Sequence, residues 1–165
     1  MNIQPALEKL AKSIDPDQNM IRIASVAAVP SESENPVILS VVNIEENPQL
    51  KNQSTRLSRT QFPERQLIIS VLFSTAYTDY LAGIDKLQTV IVYLQRHAVF
   101  EIFDETPVLP IVTNPTQISA EEIQKNILRF TVELLPQTIE QQAQLWLGLG
   151  VGYRPSVLYK LTFGL

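Results

Sequence analysis

Cysteine is missing from all 165 residues, and histidine occurs once, at His97. Without thiols the chain has no disulfide, no cysteine nucleophile and no thiolate metal site, and one imidazole cannot make a histidine-rich centre. Glycine is scarce, and three of the five glycines, Gly148, Gly150 and Gly152, sit at alternate positions near the end. They do not read as a phosphate-cradling loop, because such a loop follows a strand and opens a helix, whereas this one follows a helix and precedes a strand. The serine-hydrolase elbow G-x-S-x-G and the Walker lysine motif are both absent. Cations are outnumbered, 13 against 17 acids, for a net charge of −4, which argues against a general nucleic-acid binder that must neutralise phosphates. Long apolar runs are also lacking. Leu145 to Val151 falls far short of the roughly 20 residues of a membrane helix, and Met1 to Leu10 carries Glu8 and Lys9 in a helical pattern rather than the apolar run of a secretory leader.

What is present is an ordinary globular composition, 45% hydrophobic and 18% charged, expected to form a single domain over 1–165 that buries about 70% of its unfolded surface. The closing stretch is the most ordered by pattern. Thr138 and Gln141 after Pro136 make a T-x-x-Q capping box, so a helix should start there with Ile139, Ala143 and Trp146, the only tryptophan, on its buried face. The three glycines should stop that helix. Val157, Tyr159, Leu161 and Phe163 then alternate with Ser156, Lys160 and Thr162 as a strand with one buried face, and only Leu158 breaks the alternation.

Earlier, Ile3, Leu7, Leu10 and Ile14 recur at helical spacing until Asp15-Pro16 ends the pattern. Met20 to Val29 predicts a strand, with Ala24, Ala27 and Ala28 leaving room for a helix, and Pro30 to Pro36 predicts a loop. Val37 to Ile44, apolar on both faces, predicts a central, doubly covered strand. Gln66 to Phe73 predicts another largely buried strand. Leu81, Ile84, Leu87, Ile91 and Leu94, widened by Tyr80, Val92 and Tyr93, predict the longest helix. Phe100 to Phe103 predicts a short strand, Pro107 to Pro115 an extended connector, and Ser119 with Glu122, stapled by Ile118 and Ile123, a short helix to about Asn126. Leu128, Phe130, Val132 and Leu134 predict a half-exposed strand. The expected fold class is α+β, a mostly antiparallel sheet of about five strands covered by helices, with strand order left open.

No catalytic group assembles from these patterns. His97 ends the long helix, where a cation or cap complements the dipole, and the acidic pairs Glu45-Glu46, Asp104-Glu105 and Glu121-Glu122 adjoin loops or first helical turns. Asn52-Gln53-Ser54 fits a glycosylation sequon that should stay unmodified in a chain without a secretory leader. One region stands out. From Glu45 to Glu64 the hydrophobic pattern dissolves, and Lys51, Arg56, Arg59 and the adjoining Arg65 face one internal acid, Glu64. A long polar loop rich in arginine is either solvated or suited to an acidic protein surface.

Two stretches carry a resemblance. Val42 to Asn52, reading V-N-I-E-E-N-P-Q-L-K-N, and Leu145 to Lys160, reading L-W-L-G-L-G-V-G-Y-R-P-S-V-L-Y-K, resemble the tail-terminator, or cap, proteins of phage-tail-like contractile injection systems. The residues that carry it are Asn43, Glu45, Trp146, Gly150, Tyr153, Pro155, Ser156 and Tyr159, and the elements between follow in the family's order. The segment from Thr60 to Gln66 departs, with one proline where relatives often have more prolines and aromatics. The resemblance implies a non-enzymatic phage tail-terminator-like domain that needs no cofactor or metal. It further implies a ring of identical subunits, a homohexamer, bound to the sheath and inner-tube proteins, which ends their polymerisation and joins sheath to tube. The expected location is the cytoplasm as part of an assembled particle, without direct membrane insertion or a nucleic-acid partner. Lys51, Arg56, Arg59 and Arg65 are the expected contacts to a neighbour or to the layer beneath. The alternative use of the same basic loop is a nucleic-acid-binding accessory protein, with salt-sensitive binding.

Overall fold

The computed structural model describes residues 3–27, 35–46, 67–75, 77–104 and 126–164. Helix α1, Gln4–Ile14, carries Pro5 in its first turn, where a missing N–H costs nothing, and buries Ala6, Leu7, Leu10 and Ile14. Asp15 ends it and does more than precede a proline. One carboxylate oxygen of Asp15 accepts from the amides of Met20 (2.6 Å) and Ile21 (2.9 Å), tying the helix end to the first strand, β1, Ile21–Ile23.

That strand is a correction to the expected 20–29. Its ladder stops at Ile23, Ala24 bonds the Leu39 carbonyl, and the Ser40 hydroxyl donates to the Ala24 carbonyl at 2.6 Å, after which the chain turns through Val26 and Ala27. Helix α1 packs on β1 itself, whereas Ala24 and Ala27, expected to make room for a helix, lie beyond the strand's end. Ala28 and the loop expected over 30–36 lie outside the described residues, apart from Asn35 and Pro36. Strand β2, Val37–Glu46, is doubly covered only as far as Ser40. Beyond Leu39 it has no β1 partner, its register shifts between Val41 and Asn43, and its far half is mostly exposed. The strand also takes in Glu45 and Glu46, expected as loop, because they pair with Ile68 and Leu67 of β3, Leu67–Thr75.

Helix α2, Tyr80–Arg96, is capped by the Asp79 side chain, which accepts from Leu81 and Ala82. Its buried line is Gly83, Leu87, Val90 and Leu94, which shares Leu87 and Leu94 with the expected stripe, while Ile84 and Ile91 are half-buried and Leu81 is exposed. Gly83 explains the rotation: a Cβ there would lie 3.2 Å from Thr75 and Tyr77, so the bare face sits tight against the end of β3 and turns Leu81 outward. Strand β4, Val99–Asp104, and strand β5, Asn126–Leu134, pair antiparallel and are each longer than their hydrophobic pattern. The connector over 107–115 and the short helix after Ser119 lie outside the described residues, except that Asn126 is already strand.

Helix α3, Ile139–Leu149, begins with the capping box, Thr138 and Gln141 bonding each other's backbone. Of the three glycines only Gly150 stops it, at φ +69°; Gly148 is helical. Strand β6, Ser156–Gly164, follows.

Among the described residues the sheet has six strands, in the order β1-β2-β3-β6-β5-β4, and β1 pairs β2 in parallel while every other pair is antiparallel. The count of about five falls one short, although each of the six strands overlaps a stretch expected as strand. Helix α1 touches both edge strands, β1 and β4, because the sheet curls around it. The main core, on the face holding α1 and α2, includes Leu39, Val71, Phe73, Phe130, Tyr159 and Leu161. On the opposite face a smaller cluster joins Trp146 of α3 to Leu72 and Val26, with Val42, Leu145, Leu149, Val151 and Leu158 around it. Leu158, the residue that broke the β6 alternation, is thereby explained: it points to α3 while Tyr159 points to the main core.

Candidate interaction surface

The residues of the two resembling stretches fall at two places. Asn43 and Glu45 lie on the exposed far half of β2, opposite Ser70 and Ile68. The others form the elbow from α3 into β6. Trp146 is only 3% exposed and meets the ring of Tyr153 edge-on at 5.8 Å. The positive φ of Gly150 reverses the chain between them, the Pro155 carbonyl accepts from Thr75 at 3.0 Å, and Ser156 pairs with Ser74. Tyr159 lies in the main core, edge-on to Phe73, where burial pushes its phenol pKa up. The structure brings Trp146, Tyr153 and Pro155 together as the joint that docks α3 on the sheet, and leaves Asn43 and Glu45 on a separate strand. Lys51, Arg56, Arg59 and Arg65 lie outside the described residues.

Three outward features escape a reading by periodicity. The first is on α3, where the packed side is Gln142, Leu145, Trp146 and Leu149, so Ile139 and Leu147 are each 83% exposed and Ala143 is exposed between them. Expecting Ile139 and Ala143 inside was wrong because Trp146 and its two leucine neighbours, not the capping turn, decide which side lies down. An apolar run all round the helix was the signal, since a helix packed on one side cannot bury every side. The second is on α2, whose outer line is Leu81 (72% exposed), Asp85, Gln88 and Val92. The third is Arg154, whose side chain is half-buried with Nη1 enclosed and no hydrogen-bond partner. Its signal was a lone charge within an apolar and glycine-rich stretch, Leu145 to Pro155. Trp146 Nε1 is likewise enclosed without a partner.

Two pairs of opposite charges are matched across the sheet. On the face that carries α3, Arg129 Nε donates to Glu101 at 3.0 Å across β4 and β5, and Lys160 lies 2.8 Å from Glu133 across β5 and β6. Glu140, fully exposed, has its pKa lowered by a backbone hydrogen bond and then by the Thr138 side chain. His97 closes α2, with Nδ1 3.0 Å from the Tyr93 carbonyl and its ring stacked on Tyr93. A groove of 520 Å³ beside α3 is lined by Leu135, Pro136, Leu145, Leu158 and three glutamines, without a titratable group. A second, of 510 Å³ between α1 and β1, holds Asp15, already committed to backbone amides. Among the described residues no group of acids and imidazole is arranged to hold a metal, and no helix is long and apolar enough to cross a membrane. The described residues offer exposed surfaces for contact.

Comparison with known proteins agrees in kind. The family model described as the Pvc16 N-terminal domain matches residues 6–164. The fold is similar to the PVC sheath/tube terminator of an extracellular contractile injection system, in its extended state, with a TM-score of 0.56 at 13% identity over 97% of this chain and 53% of that one. It is also similar to the anti-feeding prophage cap, a tube-terminating cap, with a TM-score of 0.52 at 14% identity over 97% of this chain and 52% of that one. The chain therefore spans about half the length of each solved chain. No protein of curated function matches the sequence.

Proposed function

Because the chain belongs to the Pvc16 N-terminal domain family, we propose that it is a structural, non-enzymatic terminator of a contractile injection particle. In this reading identical subunits form a ring, a homohexamer, on the last layer of inner tube and sheath, end their polymerisation and join sheath to tube. The observation that carries it is the family match over nearly the whole chain, and the likeness of fold to a sheath/tube terminator and a tube-terminating cap supports it. Two chemically distinct outward surfaces suit a ring, in which each subunit meets its neighbours through different faces. Lys51, Arg56, Arg59 and Arg65 are proposed to reach a neighbour or the layer beneath, where arginine suits a carboxylate-bearing surface. The partners are the chain itself and sheath and tube subunits, with neither nucleic acid nor membrane insertion, in a particle assembled in the cytoplasm.

The test is the mass of the purified chain by light scattering, with negative-stain images of purified tubes and sheaths before and after its addition. Rings at one end of the particles and arrested growth are expected. A strict monomer that leaves length and ends unchanged at high concentration refutes the reading. Charge reversal at Lys51, Arg56 and Arg59 together should weaken capping, and unaltered capping removes the loop from the proposal.

A further inference from the structure

The stretch from Pro136 to Arg154, which holds α3 and its elbow, lies on the sheet by apolar packing alone. Trp146 is the only buried residue of α3, and Leu145, Leu149 and Val151 lean on the same small cluster. The hydrogen bonds of the stretch are its own: Thr138 and Gln141 cap each other, the Gln142 amide donates to Thr138, and the Gly150 amide to Leu147. The ring contact between Trp146 and Tyr153 is internal to it as well. Among the described residues no hydrogen bond or ion pair crosses from 136–154 to the strands. The fixed points lie just outside its two ends, where the Leu135 amide donates to the Leu158 carbonyl and the Thr75 amide to the Pro155 carbonyl. Between α3 and the sheet runs the 520 Å³ groove, lined by Gln141 and Gln144 of the helix and Leu158 of β6, so the first half of α3 is seated least.

We propose that residues 136–154 are a detachable strap: α3 and its elbow leave the sheet as one unit while all six strands stay paired. The docked state carries a cost that release removes. Trp146 Nε1 and Arg154 Nη1 are enclosed from water, and neither has a hydrogen-bond partner. An indole N–H and a guanidinium N–H both regain hydrogen bonds once water reaches them. Opposing release is the apolar surface of Trp146, packed on Leu72 and Val26. The ladder between β5 and β6 ends at Leu134 and Tyr159, so movement of the strap breaks no strand pairing. One hinge falls at Gly150 and Gly152, which stand in open space, and the other in the irregular residues 135–138. Release bares Leu72, Leu158 and the indole of Trp146 together, an apolar surface that the docked state hides. The device needs neither ring nor tube, so it stands or falls apart from the terminator reading.

Native-state amide exchange on the full chain tests it. The amides of 143–149 should exchange at least about tenfold faster than those of β3 and β6, with little dependence on urea, because opening the strap uncovers little surface. Phe130→Leu, in the main core on the other face of the sheet, gives the sharper comparison. It should speed exchange in β3 and β6 by about tenfold or more and leave 143–149 within about twofold, since a strap that opens by itself does not sense the stability of the whole. Arg154→Met keeps the stem and deletes the enclosed charge, and should slow exchange in 143–149 by about tenfold. Far-ultraviolet dichroism and Trp146 fluorescence check that each variant folds, and Val132→Ala replaces Phe130→Leu should that variant not fold. Exchange in 143–149 as slow as in β3, or accelerated by the core substitution as much as the strands are, overturns the strap. Exchange in Arg154→Met that is unchanged or faster overturns the cost assigned to the enclosed cation.

Discussion

Trp146→Ala tests the joint on which α3 is seated. The indole is 3% exposed in a small cluster with Leu72 and Val26, apart from the main core, and it supports Tyr153 edge-on. A tryptophan buries up to about 250 Å², and at about 25 cal/mol per Å² that amounts to some 6 kcal/mol before the alanine's own burial and denatured-state contacts are discounted. The expected loss is about 3–5 kcal/mol, in line with other large-to-small core changes. No hydrogen bond adds to it, since Nε1 has no partner. For the same reason Trp146→Phe, which keeps a ring and deletes an orphaned donor, should cost only about 1 kcal/mol. Urea unfolding must be followed by far-ultraviolet dichroism, because the substitution removes the only tryptophan, and amide exchange should show α3 opening before the sheet. A loss below about 1 kcal/mol with α3 amides still protected would refute the claim that this residue docks the helix.

Asp15→Ala strands two amides that one buried carboxylate now satisfies, and should cost about 2–4 kcal/mol in urea unfolding, with Asp15→Asn costing less than half as much. Gly150→Ala should lose about 1 kcal/mol because its φ of +69° suits glycine and no neighbour crowds the site, while Gly148→Ala, helical and open, should gain about 0.5–1 kcal/mol. Tyr159→Phe removes an enclosed hydroxyl without a partner and should be neutral or stabilising by at most about 1 kcal/mol near neutral pH. Its phenol pKa is raised in the folded state, so that contribution is fully present below the unfolded value of about 10 and is lost as pH rises through the folded one. Tyr159→Phe should therefore flatten the alkaline decline in melting temperature.

Much of the architecture could be read directly from the chain, for local reasons. The Thr138–Gln141 capping box, the α1 stripe, and the alternations of β5 and β6 depend on residues within one or two turns of each other, so pattern alone placed them. The existence of strand β1 could be read within 20–29 but not its extent, because its ends are set by pairing with Val37 to Leu39 and not by any period in the chain. The face of α3 was misread, and that of α2 was right in Leu87 and Leu94 but not in Leu81, for a related reason. A helix with more apolar residues than it can bury has several possible inner sides, and the choice falls to the partner: Thr75 and Tyr77 against Gly83, and Leu72 and Val26 beneath Trp146.

By itself, then, the sequence determined which chemistries are closed, since no thiol and one imidazole are present, and it determined most of the described elements and the family, since caps, periods and the L-W to Y-K stretch are local in the chain. Only the tertiary structure decided that Leu81, Ile139 and Leu147 face outward and that α2 and α3 lie on opposite sides of the sheet. It also decided that one guanidinium nitrogen of Arg154 is enclosed without a hydrogen-bond partner. Burial is a relation between distant segments. A residue's exposure is set by what folds over it, and nothing in its own neighbourhood along the chain records that.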